Sequence, residues 1–162
     1  MNPDFPEIID ITLELRKLYY PEAKVSVLSN ATKLGRSSVF EALRKVDNPI
    51  LKLDAPTDEA ARIINVPSGD YSVAEIVKDL MRFNGDFILQ TMFLKSPDFD
   101  SSDPEILQDW MSIVRKLRPR EIMVYTIDRE TPMKSLEKFT EEQMRKMVQP
   151  LIDEGFIIQI RG

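Results

Sequence analysis

Along the chain, short runs of β-branched, aromatic and other large apolar residues alternate with longer amphipathic stretches. The strand-like runs are residues 24–28 (KVSVL), 50–54 (ILKLD), 86–94 (DFILQTMFL), 121–127 (EIMVYTI) and 156–160 (FIIQI). Helix signals fill the gaps. Asp4 with Glu7, Ser72 with Glu75 and Thr140 with Gln143 have capping-box spacing, and Asp103 before Pro104 and Glu105 reads as an N-cap with proline in the first turn. Helices are therefore expected over residues 6–18, 37–45, 58–64 and after Ser72, Asp103 and Thr140. Gly155 sits where a left-handed C-cap belongs, and Pro150 is expected to kink or shorten the last helix.

This alternation predicts an α/β chain, one domain over 1–162, with a mostly parallel sheet flanked by helices. Pattern alone does not separate a flat sheet from a barrel. The polar stretch 95–102 (KSPDFDSS) reads as a surface loop. The chain opens on a helix where a βα protein normally opens on a strand. Either that helix packs on the sheet by itself, or a strand has been lost ahead of it.

Composition narrows the chemistry. The 162 residues contain no His and no Cys, which removes a Ser-His-Asp triad, imidazole acid–base catalysis, thiolate nucleophiles, disulfides and cysteine-held metal or iron–sulfur sites. No metal ligand set is expected. The five glycines never approach a phosphate-cradling spacing. A net charge of −5 gives no overall footprint for nucleic acid. No apolar run nears the roughly 20 residues of a membrane span and no leader-like segment follows Met1, so a cytoplasmic protein is expected.

In parallel α/β proteins ligands bind beyond the carboxyl ends of the strands. Those ends carry Ser29 and Asn30, then Asp54, then Gln90 and Thr91 within their run, then Tyr125, Thr126, Asp128 and Arg129. Each has a plainer reading. Ser29, Asn30 and Thr32 suit a turn, and Asp54 could cap the following helix. Gln90 and Thr91 need hydrogen-bond partners if buried. Lys52, among large apolar residues, is either a lysine snorkelling to a strand edge or a Schiff-base nucleophile. The methionines, Met81 among them, read as packing, and the run Arg115, Lys116, Arg118, Arg120 reads as a solvated helix end.

The segments NPDFPEII (2–9), VLSNAT (27–32), LDAPTDEAARIINVP (53–67), LQTMFL (89–94) and RPREIMVYTIDRETP (118–132) resemble, in order and spacing, the later part of a radical S-adenosylmethionine (radical SAM) enzyme of the Fe-S oxidoreductase subgroup. That resemblance implies a partial (β/α) TIM-like barrel, truncated here by its first two strands, which carry the CxxxCxxC motif of a [4Fe-4S] cluster and a GEP-type motif. It explains the helix-first opening. It implies SAM as the small-molecule partner, with Ser29, Asn30, Lys52, Asp54, Gln90, Thr91, Tyr125 and Thr126 around it and Asp128 and Arg129 toward substrate. The complete enzyme would generate a 5′-deoxyadenosyl radical. This chain, without the cysteines, is expected to hold no cluster and to be inactive alone, and its substrate stays open. Two alternatives stand beside this one: a small α/β enzyme using Lys52 as Schiff-base nucleophile, and a non-catalytic binding module derived from the barrel. An exposed strand edge would also favour a homo-oligomer.

Overall fold

The computed structural model describes residues 2–67, 69, 71–128, 131 and 135–162. Helix α1 (Phe5–Tyr19) starts with Pro6 in its first turn, where the missing N–H costs nothing, and ends with Arg16 and Lys17 against the negative end of its dipole. Asp4 makes no side-chain cap; Asn2 instead accepts the Asp4 N–H at 2.9 Å. Strand β1 (Ser26–Ser29) leads into α2 (Ser37–Lys45), and β2 (Asn48–Lys52) into two short helices, α3 (Asp58–Asn65) and α4 (Val73–Met81). Thr57 and Ser72 cap those two helices with their hydroxyls. Strand β3 (Ile88–Met92) continues into a hairpin of β4 (Leu94–Ser96) and β5 (Phe99–Asp100) before α5 (Pro104–Leu117). Strands β6 (Glu121–Tyr125) and β7 (Glu137–Lys138), α6 (Glu141–Asp153) and β8 (Ile158–Arg161) complete the order.

The main sheet runs β1-β2-β3-β6-β8, every pair parallel. Its two faces differ. One carries Leu51, Leu53, Leu89, Ile122 and Val124, all sealed beneath the helices in a core with Trp110, Leu80 and Met144. The other carries half-buried Ile50, Lys52, Gln90, Met92, Met123 and Tyr125. Helices on one face only belong to a barrel wall, whereas a doubly wound sheet is covered on both. Helix α1 packs through Ile9 onto Ala42 and Val46, and it leaves Ile8, Ile11, Leu15 and Leu18 exposed.

The structure corrects several expectations. Residues 95–102 are no loop: β4 and β5 pair antiparallel, and β7 joins β4 in a second, three-stranded sheet. Buried Leu94 and Phe99 anchor that hairpin, and after β5 Ser102 donates to Asp100 through both N–H and hydroxyl in the turn that leads to α5. Helix α6 runs through Pro150, because a proline in the last turn removes only one intrahelical bond. Gly155 follows with φ +88°, as expected of a left-handed cap. Met81 is exposed rather than packed. Of the four basic residues near the end of α5, Arg115 pairs with Glu154 at 2.8 Å, Arg118 lies over the Phe156 ring, and Arg120 donates to Asp86, Asn48 and the Asp47 carbonyl. Arg120 thus ties together the amino ends of the strands, opposite the candidate site.

Candidate functional site

Parallel strands bring Asn30, after β1, beside Lys52 and Asp54 at the end of β2. Together with Thr32, Asn65, Pro67 and Tyr71 they line a cleft of about 220 Å³. At its floor the Lys52 ammonium meets Asp54 Oδ2 at 2.9 Å. Asp54 Oδ1 accepts the Met92 backbone N–H at 3.0 Å. Asp54 does not cap α3, as the plain reading of the sequence allowed; Thr57 does. Its side chain is 1% exposed, so both oxygens are committed inside the protein and its effect on a ligand passes through Lys52.

The electrostatics follow from burial and charge. Burial by itself lowers the Lys52 pKa, but the Asp54 carboxylate, by charge and hydrogen bond, outweighs it with help from Tyr125, and the lysine pKa lies above 10.5. A lysine held protonated is the reverse of what amine nucleophilicity needs. Tyr125 is pushed above its ordinary value first by burial, with Lys52 opposing and Asp54 reinforcing. Tyr71 is raised first by burial and then by the negative charges of Asp54 and Asp58, against Lys52. The two tyrosines and the ion pair therefore form one electrostatic unit.

The other expected residues separate by face. Gln90 stands opposite Lys52 in the β2–β3 register, on the open face. Thr91 faces the helices: it is fully buried, donates to the Leu53 carbonyl at 2.8 Å and accepts from Trp110 Nε1 at 3.1 Å. Thr126 likewise donates to the Phe93 carbonyl and accepts the Phe139 N–H. Neighbouring residues on a strand point to opposite sides, so Gln90 and Thr91 do not share a ligand space, nor do Tyr125 and Thr126. Ser29 accepts the Ala31 N–H, and Asn30 Oδ1 accepts from the Thr32 N–H and hydroxyl, so both also shape the turn. Asp128 is exposed and lines none of these clefts. Arg129 lies outside the described residues.

Sequence reasoning missed Tyr71 and Asn65. The one available signal was a lone aromatic in the otherwise small and polar stretch 67–72 (PSGDYS). Tyr71 also borders a second cleft of about 390 Å³, with Thr32, Gly35, Arg62, Ser72 and Asp79.

Solved structures share this fold. A domain of a pyruvate-formate lyase-activating enzyme from Bacteroides vulgatus superposes with a TM-score of 0.71 at 16% identity, over 100% of this chain and 96% of that one. A radical SAM methyltransferase from Sphaerobacter thermophilus gives 0.67 at 15% identity, over 84% of this chain and 39% of its own. The fold is that of a radical SAM barrel. Streptococcus suis SuiB bound to S-adenosylmethionine has the same fold, with a TM-score of 0.65 at 15% identity over 96% of this chain and 36% of that one. In sequence, the chain is 26% identical over 142 residues to the curated GTPase Obg of Brachyspira hyodysenteriae, a match spanning 82% of this chain and a fifth of that protein. No family model matches the sequence.

The residues at this cleft can be tested against SAM and a [4Fe-4S] cluster, the two groups that the sequence resemblance implies. SAM carries a carboxylate, an ammonium, ribose hydroxyls and adenine; Lys52 and Asn30 line the strand-end cleft with donors and acceptors, Tyr71 adds an aromatic face, and Gln90 and Tyr125 stand next to Lys52 on the open face of the sheet. They fit. A [4Fe-4S] cluster does not: the chain has no thiolate, and among the described residues no group of three or more His, Cys, Asp or Glu could hold a metal. No helix among them is long and apolar enough to cross a membrane.

Proposed function

We propose that these residues form the SAM-holding later part of a radical SAM iron–sulfur oxidoreductase, with the cluster ligands supplied by residues outside the 162. The observation that carries this reading is the Lys52–Asp54 pair, set with Asn30, Tyr71 and Tyr125 at the carboxyl ends of a parallel, one-sided sheet. When bound and reduced by a cluster, SAM supplies a hydrogen-abstracting 5′-deoxyadenosyl radical.

The protein's own contribution is binding and orientation. Asp54 fixes Lys52 as a charged donor at the cleft floor. Lys52, Asn30 and Gln90 then offer fixed polar groups to the ligand, and preset donors orient without reorganising. Met92 and Met123 continue the open face as an apolar wall that limits water around a bound molecule. By itself the chain is expected to bind SAM but not to cleave it.

Equilibrium dialysis of labelled SAM tests the binding. Saturable uptake by the chain, weakened in Lys52→Met, is the expected result; no saturable uptake would overturn the reading. After anaerobic incubation with iron, sulfide and dithionite, the chain alone should release no 5′-deoxyadenosine, and its release would overturn the inactivity.

A further inference from the structure

We infer that Tyr71 is a ligand contact, the aromatic wall against which the adenine of SAM lies at the mouth of the cleft. The inference rests on the proposed SAM site and adds a residue outside the strand ends.

Four observations carry it. Tyr71 lines both the inner cleft, with Lys52 and Asp54, and the outer one, with Arg62 and Asp79; it shares that position between the two with Thr32 and is the aromatic member of the pair. It is half-buried, and its hydroxyl makes no hydrogen bond among the described residues. Its backbone is fixed from one side: the Val73 N–H donates to Asp58 Oδ1 at 2.6 Å and Ser72 caps α4, so the loop presents Tyr71 from a helix start. Finally, the charges of Asp54, Asp58 and Lys52 all reach the phenol.

The division of labour follows from chemistry. The cleft floor is ionic and suits the charged amino-acid end of SAM or its ribose. Tyr71 offers a π-face, and adenine is the planar group in SAM that stacks on one.

The test is nitration by tetranitromethane with and without saturating SAM, read by peptide mass mapping. The chain has four tyrosines, and Tyr19 and Tyr20, at 69% and 73% exposed, serve as internal controls. SAM and 5′-deoxyadenosine should both protect Tyr71, methionine should not, and Tyr19 and Tyr20 should react unchanged. In dialysis, Tyr71→Phe should bind SAM like the native chain and Tyr71→Ala about tenfold or more weaker, the loss typical of one base–aromatic contact. If SAM binds and Tyr71 is nitrated at its free rate, the inference fails and the SAM site stands. Protection by methionine but not by 5′-deoxyadenosine also overturns it. If the native chain takes up no SAM, the site reading fails and this inference falls with it.

Discussion

Lys52 and Asp54, two residues apart at the end of β2, form an ion pair at 2.9 Å in which the cation is 26% exposed and the carboxylate 1%. The pair turns a buried acid into the anchor of a solvent-reachable ammonium. Lys52→Met leaves the Asp54 charge in place with, among the described residues, the Met92 N–H to satisfy it. Removing one partner of a buried pair costs several kcal/mol, and partial exposure of Lys52 reduces that to about 1–3 kcal/mol. Urea unfolding should show this loss. Asp54→Asn, which keeps an acceptor for Met92, should lose less.

The same pair sets an alkaline limit. Lys52 has its pKa raised above 10.5 in the folded protein, first against the effect of burial and then by Asp54. A raised cation contributes stability that is fully present below its unfolded value and is lost as pH rises through the folded one. Stability should therefore fall above pH 10.5, and Lys52→Met should flatten that limb. The acid limb runs the other way. Asp47 is held below its ordinary 3.8, chiefly by the Val25 N–H, with burial opposing and Arg16 assisting. Its contribution is present above 3.8 and is lost as pH falls through the lower folded value. Asp47→Asn should make unfolding less steep in acid.

Thr91 separates structure from ligand binding. Thr91→Val keeps the shape but strands the Leu53 carbonyl and the Trp110 N–H in the core. The expected cost is about 1–3 kcal/mol in urea unfolding, with Thr91→Ser recovering most of it and SAM uptake unchanged in the folded protein.

Gly85 tests the backbone at the opposite end of the sheet. Its φ is +82°, and a Cβ there would lie 2.5 Å from the Arg118 carbonyl oxygen. Gly85→Ala should lower Tm by several degrees, since such strain costs about 1–3 kcal/mol.

Helix α1 exposes Ile8, Ile11, Leu15 and Leu18, and β1 is an edge strand of the main sheet. Apolar stripes and free edges favour association. Sedimentation velocity should show mass rising with concentration and Leu15→Glu suppressing the rise. The mass of one chain at every concentration would count against it.

Much of this was legible from periodicity. Alternating strand and helix patterns gave a parallel sheet, and the span 37–45 matched α2 to the residue. Lys52 and Asp54, spaced by two, were already on one strand face. Less could be read where tertiary contacts overrode local chemistry. The polar stretch 95–102 pairs as a hairpin because Phe99 reaches the core, and Pro150 is accommodated because it falls in a final turn. Thr91 and Thr126 illustrate a different limit. Strand alternation alone places them away from Gln90 and Tyr125, whereas a family resemblance groups neighbours without regard to face. Tyr71 lay beyond either method, because only the fold returns residues after α3 to the cleft over Lys52.

Whether SAM occupies the strand-end cleft is decided by backbone amide NMR of the chain titrated with SAM. Shifts concentrated at Asn30, Lys52, Asp54, Gln90 and Tyr125, with Arg120 and the amino ends of the strands unchanged, are the predicted result. Saturating SAM with no shifts in the cleft, or shifts centred at the Arg120 end, would show that SAM does not bind there.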